Sequence, residues 1–461
     1  MWRVFGRYLA FRRIGTVVVE NALLVCCVLD AAHIRLSPYG GFDYRDHLSR
    51  AILIAIVFQL FLHLRDVYDY RRSLSFAHFA LRLGEAILLA SGTLTIFFFA
   101  FPDLLVGRGV FAISLMLISI FLVAWHILLR LWMGVRAAKS NILLLGTGQL
   151  ARELVSEILH RPDLGLNVSG FVDDNPALLG TSIVNPCVVG TPMEIASLVS
   201  KYKIDRVVVE LEDRRGRLPI DDLLQLKIGG VAVEDATSLY ERVTGKIAVD
   251  NLKPSWMIFN AGFDVSPGLL LQKRILSILV SSVLLLVFSP LILIIMLLIK
   301  LDSHGPIFHR QERVGKDGKV FTVWKFRSMR ADAETESGPV WATPGDPRVT
   351  RVGRILRRTR LDELPQLYNI FRGDMSLVGP RPERPHFVSE LASMIPYYHL
   401  RHAVKPGLTG WAQINYEYGN SVRDAVEKLQ YDLFYIKHMS WLLDAIIILQ
   451  TIKTVLVRRG S

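Results

Sequence analysis

The chain has 461 residues, a hydrophobic content of 51% and a mean hydropathy of +0.34. This length allows two or three domains, and the apolar excess indicates a membrane protein. The formal net charge is +12, which beside apolar segments fits an anionic lipid surface or phosphorylated substrates better than nucleic acid, so no nucleic-acid partner is expected. The three cysteines, Cys26, Cys27 and Cys187, indicate neither a disulfide framework nor a zinc site.

Four apolar segments fill the first third of the chain, at residues 14–34, 48–64, 79–101 and 110–135. Each is close to the roughly 20 residues that cross a bilayer as a helix. Arginines precede the first segment, lie between the second and third, and follow the fourth, whereas the other two linkers are less basic. Because positive charge stays on the cytoplasmic side, we predict a four-helix transmembrane bundle over residues 1–138 with both ends in the cytoplasm.

A glycine turn, Gly146-Thr147-Gly148, follows the next predicted strand, and Asp173 ends the strand after it. A glycine turn that opens a helix, with an acid roughly 20 to 30 residues later, is typical of dinucleotide-binding domains. Strands are predicted at residues 141–145, 168–172, 206–211 and 231–234, with helices between them. We predict a Rossmann-like parallel-sheet domain over residues 139–250, with Gly146, Gly148 and Asp173 as candidates for nucleotide binding. A structural or regulatory role is the alternative, since such glycines also serve tight strand–helix packing.

A connector at residues 251–268 leads into an almost wholly apolar stretch at 269–300. Basic residues flank both ends of this stretch, and Ser289-Pro290 interrupts its middle. Proline removes a helical hydrogen bond and bends the helix. A broken, re-entrant helix would return the chain to the cytoplasmic side; a kinked spanning helix is the alternative.

Two adjacent carboxylates, Asp362 and Glu363, stand at a predicted helix start, because Pro365 is tolerated only in a first helical turn. Acids at such positions are ordinary capping residues. Arginines crowd around this pair, however, and carboxylates among guanidinium groups suit phosphate chemistry with a divalent metal. The helix dipole is expected to lower the pKa of Asp362, and the roughly 100° between consecutive helical residues favours divided roles for the two acids.

Several long motifs occur in order after residue 269. They are Ser289-Pro290, Gln311 and Arg313 before Gly315, Lys325–Met329, Leu361–Asn369, Gly373–Pro382 and Lys405–Trp411. In these motifs the segment 269–461 resembles the bacterial sugar transferases, the polyprenyl-phosphate glycosyl-1-phosphate transferases. The first 250 residues are similar in architecture to the large polytopic members, such as undecaprenyl-phosphate glucose or galactose phosphotransferases. The resemblance implies a membrane α/β protein with an α-rich C-terminal catalytic domain carrying the re-entrant helix.

The resemblance also implies an activity: transfer of a sugar-1-phosphate from a nucleoside diphosphate sugar, expected to be a UDP-sugar, to undecaprenyl phosphate, with release of UMP. This step would begin exopolysaccharide, capsule or O-antigen synthesis at the cytoplasmic face of the bacterial inner membrane. Asp362 would be the nucleophile that forms a covalent phosphosugar intermediate, and Glu363 would help to hold Mg²⁺. A homodimer is also consistent with the resemblance.

Basic side chains near these motifs are the candidates for binding the diphosphate and the leaving group. They are Lys325, Arg327, Arg358 and Arg381, with Pro382 stiffening the backbone beside the last of them. A structural salt bridge is the alternative for each. Two other functions stay open: a nucleotide-sugar oxidoreductase or dehydratase that uses the Rossmann-like domain, and a non-enzymatic membrane scaffold for polysaccharide assembly.

Overall fold

The computed structural model describes residues 5–39, 43–68, 76–104, 106–136, 140–161, 164–210, 218–250, 252, 257, 262–263, 266–330, 346–416, 419 and 421–456. The chain divides into two compact units, Met1–Thr244 and Gly245–Ser461. Most of the connector predicted at 251–268 lies outside the described residues.

Four long apolar helices open the first unit: α1 (Phe5–Leu36), α2 (Tyr44–Leu64), α3 (Phe76–Ala100) and α4 (Arg108–Arg136). Each contains a stretch of 21 to 23 residues that is long and apolar enough to cross a membrane. Buried side chains from all four helices form one apolar cluster. Large apolar side chains also stay exposed, among them Leu88, Ile96, Phe99 and Ile120. The four predicted apolar segments are therefore confirmed as helices with apolar outer faces, which a helix needs in lipid.

A five-stranded parallel sheet follows in the same unit, with strand order β3-β2-β1-β4-β5. Its strands are β1 (Ser140–Leu145), β2 (Leu166–Val172), β3 (Val188–Gly190), β4 (Arg206–Val209) and β5 (Ala232–Asp235). The connecting helices are α5 (Gln149–Leu159), α6 (Ile195–Lys201) and α7 (Ile220–Ile228), and α8 (Ala236–Thr244) follows β5. The predicted parallel sheet is confirmed. Strand β3 was not predicted, because three residues are too few for a periodic pattern.

The central strand β1 is buried from Ile142 to Leu145, as expected for a strand with neighbours on both sides. Leu145 lies opposite Val172 of β2 and Val209 of β4. The carboxyl ends of these three strands therefore meet at one edge of the sheet, next to the glycine turn.

The second unit begins at Gly245, within the segment that the sequence assigned to the Rossmann-like domain. Lys246 pairs with Glu427 at 2.7 Å, and the N–H of Ile247 donates to the carbonyl of Gln430 at 3.1 Å. Residues just after α8 thus pack with the C-terminal part of the chain.

Two apolar helices, α9 (Pro267–Val287) and α10 (Ser289–Asp302), meet at Phe288. Pro290 has no N–H to donate to the carbonyl four residues earlier, that of Leu286. The Ser289 hydroxyl donates to that carbonyl instead, at 2.7 Å. The break therefore lies at the predicted position, and the serine satisfies the backbone group that the proline frees.

The rest of the second unit is built from short elements. An antiparallel hairpin pairs β6 (Phe308–Val314) with β7 (Val320–Phe326), and a parallel pair joins β8 (Ser376–Val378) to β9 (Gly407–Thr409). The helices are α11 (Arg351–Arg358), α12 (Gln366–Arg372), α13 (Pro385–Met394), α14 (Trp411–Asn415), α15 (Val422–Lys437) and α16 (Trp441–Leu456). A Cβ on Gly407 would lie 2.1 Å from the nitrogen of Gly379, so this pair of strands needs glycine at that contact.

Candidate active site

The carboxylate pair lies in a short 3₁₀ turn, Leu361–Glu363, between α11 and α12. The helix does not begin at Asp362, as predicted, but at Gln366. The reason is again a proline: Pro365 cannot donate to the carbonyl of Leu361, and the N–H of Leu364 does so at 3.2 Å in a tighter turn. The pair therefore precedes the helix and is not part of its first turn.

Glu363 is held by two cations on one oxygen. Its Oε1 accepts from Lys325 Nζ at 3.1 Å and from Arg381 Nη2 at 3.0 Å, and its side chain is 12% exposed. Burial alone would raise the pKa of Glu363, but the positive charges of Lys325, Arg381 and Arg360 outweigh it and hold that pKa well below its usual range. Glu363 is therefore an ionised, neutralised carboxylate.

Asp362 has no such partner. Among the residues that the structure describes, none makes a hydrogen bond or ion pair with its carboxylate. Burial raises the pKa of Asp362, the Glu363 charge adds to this, and the cations of Lys325, Arg357 and Arg360 oppose it. The net direction is upward, so the expectation of a lowered pKa is wrong, because burial outweighs the nearby cations. Among the described residues, Glu363 is thus compensated by two cations, and Asp362 has neither a hydrogen bond nor an ion pair.

A buried ion pair between Arg401 and Asp432 holds the backbone of Arg381. The Nη2 of Arg401 donates to the carbonyl of Arg381 at 3.1 Å and to Asp432 at 2.9 Å, and Arg401 and Asp432 are 5% and 1% exposed. The next residue, Pro382, is buried, and its carbonyl accepts from Arg313 at 3.0 Å. The proline-flanked backbone around Arg381 is therefore fixed on both sides.

Two predicted binding residues lie apart from the pair. Arg327 is 4% exposed and donates to the carbonyls of Ser303 and His304 at 2.7 and 2.8 Å, where α10 ends. Arg358 is exposed on α11. Of the predicted cations, the structure brings Lys325 and Arg381 to the carboxylates. Three further arginines of this region were not among the predicted binding residues: Arg357, Arg360 and Arg401.

Comparisons with known proteins show the family of the chain. The family profile described as "Bacterial sugar transferase" matches residues 269–458. The chain is 32% identical to the UDP-glucose:undecaprenyl-phosphate glucose-1-phosphate transferase of Klebsiella pneumoniae, over 88% of each chain. It is 31% identical to the undecaprenyl-phosphate glucose phosphotransferase of Komagataeibacter xylinus, over 96% of this chain and 84% of that one. The chain belongs to the bacterial sugar transferases.

Within this family it is a large, polytopic polyprenyl-phosphate sugar-1-phosphate transferase, as its motifs predicted. Another relative is the UDP-N-acetylgalactosamine-undecaprenyl-phosphate N-acetylgalactosaminephosphotransferase of Aeromonas hydrophila, at 38% identity over 56% of this chain and 60% of that protein. Because these relatives are transferases, the prediction of an enzyme is confirmed and the non-enzymatic scaffold is disfavoured.

The donor set of this sugar transferase bears on the predicted Mg²⁺. No cluster of three or more His, Cys, Asp or Glu side chains that could hold a metal occurs among the described residues. Mg²⁺ is commonly bound through only one or two carboxylates, with substrate phosphates and water supplying the rest. The second carboxylate oxygen of Glu363, the residue predicted to hold Mg²⁺, fits such a site.

Two acidic side chains accept hydrogen bonds from the glycine turn of the sheet domain. A second family profile, described as a CoA-binding domain, matches residues 63–224. Gly148 N–H donates to the Oε2 of Glu210 at 2.9 Å, and the hydroxyl of Thr147 donates to Asp173. The three predicted residues of the turn are therefore together, but a carboxylate of the chain itself binds where a ligand phosphate was predicted.

Proposed function

We propose that this sugar transferase moves a sugar-1-phosphate from a UDP-sugar to undecaprenyl phosphate and releases UMP. The observation that carries the proposal is the difference between the contacts of two adjacent acids. Glu363 is neutralised by Lys325 and Arg381, whereas Asp362 has no ion pair among the described residues. A nucleophilic carboxylate must keep its lone pairs free, and a diphosphate needs cations close by.

In the first step an oxygen of Asp362 attacks the β-phosphorus of the donor. The bond from that phosphorus to the bridging oxygen breaks, and UMP leaves with the electron pair. In the second step an oxygen of undecaprenyl phosphate attacks the same phosphorus, which restores the Asp362 carboxylate and forms the lipid-linked diphosphate sugar. No net proton transfer is required in either step.

The cations around the pair have separate duties in this proposal. Arg357 and Arg360 lie near Asp362 and offset the charge of the incoming diphosphate, which would otherwise repel a carboxylate nucleophile. Lys325 and Arg381 hold Glu363, the neighbour of Asp362, and in this proposal they stabilise the leaving phosphate. Mg²⁺, held by Glu363 and the phosphates of the donor, would supply further charge neutralisation.

We also propose that α9 and α10 form a re-entrant membrane helix, so that the site lies on the cytoplasmic face of the bacterial inner membrane. Both outer ends of the pair pack on the same unit. In α9, Arg274 donates to the carbonyls of Ile370 and Phe371 at 2.7 and 2.8 Å. In α10, Ile295 and Ile299 pack with Phe326 and Leu356 in one buried cluster.

Large apolar side chains are exposed along both helices. Near the break, Leu286 and Leu293 are 76% and 65% exposed, and toward the outer ends Leu271 and Leu301 are 61% and 74% exposed. A single helix that crossed the bilayer would send its two ends to opposite sides. The contacts of both helices with one unit, together with an apolar surface that suits lipid, support a broken helix that enters from one side.

The activity is tested by UMP release from UDP-glucose and UDP-N-acetylgalactosamine with undecaprenyl phosphate and Mg²⁺. Asp362→Asn should abolish release and the phosphosugar adduct seen by mass spectrometry. Asp317→Asn is the matched control, because Asp317 is 61% exposed in the β6–β7 turn, with a left-handed φ of 56° that asparagine tolerates. Unchanged turnover in Asp362→Asn would rule out the assigned nucleophile.

The topology is tested separately, in a chain whose native cysteines are replaced. A cysteine at Lys319, an exposed position after α10, should be shielded from a membrane-impermeant thiol reagent in intact cells and react after lysis. Labelling from the periplasm would rule out the re-entrant helix but would not affect the proposed chemistry at Asp362.

A further inference from the structure

We propose that Glu210 is the built-in anion of the glycine turn, so that this turn does not bind the diphosphate of a dinucleotide or of coenzyme A. The proposal concerns the parallel-sheet domain and is independent of the chemistry at Asp362. It runs against the dinucleotide pattern of the sequence and against the description of the profile that matches this region.

In a dinucleotide-binding domain the second glycine allows the backbone to approach the pyrophosphate, which lies at the start of the following helix. The second glycine here is Gly148, and it directly precedes α5. Its N–H donates to Glu210 Oε2 at 2.9 Å. A Cβ on Gly148 would lie 2.2 Å from the other carboxylate oxygen of Glu210. The glycine is needed for the close approach of Glu210, which takes the place of the phosphate.

The first glycine has the same explanation. Gly146 has a φ of +114°, and a Cβ there would lie 1.9 Å from the carbonyl oxygen of Glu210. The sheet sets this contact, since Glu210 directly follows β4 and its N–H donates to the carbonyl of Leu145 at 2.8 Å. Both glycines of the pattern are therefore accounted for by one residue of the neighbouring strand.

The acid that would bind a ribose is also occupied. Asp173 Oδ2 accepts from the Thr147 hydroxyl, and its Oδ1 accepts from the N–H of Asn175 at 2.9 Å. The nearby Arg152 donates its Nε to the Thr147 carbonyl at 2.9 Å. A diphosphate entering the turn would have to displace Glu210 and remain beside two carboxylates, and like charges at such distances repel.

The test uses the full chain in lipid nanodiscs, with NADH and coenzyme A as the probes and calorimetric titration as the measurement. The wild type should show no saturable binding at millimolar concentration. Glu210→Ala should bind at least one probe saturably, with an affinity at least about tenfold above the detection limit that the wild type fails to reach, because the Gly148 N–H is then free. Glu153→Ala, which removes an exposed carboxylate from α5, is the matched control and should behave like the wild type.

Hydrogen exchange of the wild type decides the question even if Glu210→Ala fails to fold. The peptide that contains Gly148 should be protected without ligand, and neither NADH nor coenzyme A should change its exchange. Saturable binding by the wild type with added protection at Gly146–Leu150 would overturn the proposal. A folded Glu210→Ala that binds neither probe would overturn it too, because Glu210 would then not be what closes the turn.

Discussion

The two adjacent carboxylates should respond differently to the same chemical change. Asp362→Asn and Glu363→Gln each replace a carboxylate by its amide, one residue apart. Asp362 has no ion pair or hydrogen bond to lose among the described residues, whereas Glu363 accepts from Lys325 at 3.1 Å and from Arg381 at 3.0 Å. We expect Asp362→Asn to remove activity without cost in stability, and Glu363→Gln to cost stability as well.

The magnitudes follow from those contacts. A hydrogen bond to a charged acceptor contributes about 1.5–3 kcal/mol and a neutral one about 0.5–1.5 kcal/mol, so two bonds weakened in Glu363→Gln cost about 2 kcal/mol. Asp362→Asn should change stability by no more than about 0.5 kcal/mol. Any change should be stabilising, because burial raises the pKa of Asp362 and the fold therefore disfavours its ionised form. Activity should fall by about 10³-fold or more in Asp362→Asn.

The assay is thermal unfolding of both variants in the same detergent, alongside UMP release and adduct formation. Glu363→Gln should still form the phosphosugar adduct slowly, since the nucleophile is intact, and Asp362→Asn should form none. If Asp362→Asn destabilises the protein as much as Glu363→Gln does, Asp362 is a structural residue and the division of roles is wrong.

Three further outcomes are expected. The pKa of Asp362 is raised, and a nucleophile must be ionised. On acidification, kcat/KM should therefore begin to fall at a pH above the ordinary aspartate pKa of about 4. An acidic limb of the pH profile at that ordinary value would contradict this. Ser289→Ala should destabilise the protein by about 0.5–1.5 kcal/mol, because the Leu286 carbonyl loses one of its donors. Ser282→Ala, measured in the same melt, should cost less because its carbonyl partner lies within a regular helix. Gly407→Ala should prevent folding, since its Cβ would lie 2.1 Å from a backbone nitrogen; a folded, active variant seen by size exclusion would refute this.

Much of this arrangement was predictable because it rests on local chemistry. The break at Ser289-Pro290 follows from one missing N–H, and the parallel sheet follows from alternating apolar runs and polar turns. The separate roles of Asp362 and Glu363 were predicted from the angle between consecutive residues. The turn differs from the predicted helix, yet the two acids still have different surroundings.

The missed features depend on contacts between distant parts of the chain. Arg401 supports Arg381 across twenty residues, and no spacing in the sequence indicates which arginine does so. The sequence did not indicate that Arg357 lies near Asp362, because this depends on how the helix α11 packs. The partner of the glycine turn, Glu210, comes from another strand, and only the order of strands in the sheet brings it there.

The hydrogen bonds of Arg274 have a geometric consequence. They tie the apolar helix α9 to the last carbonyls of α12, and the reactive turn stands just before the other end of that helix. α12 has seven residues and is therefore about 10 Å long. If α9 lies at a fixed depth in lipid, the length of α12 fixes the distance of Asp362 from the hydrocarbon. That distance would then match the level of a lipid phosphate group, and the reaction rate should depend on the thickness of the bilayer.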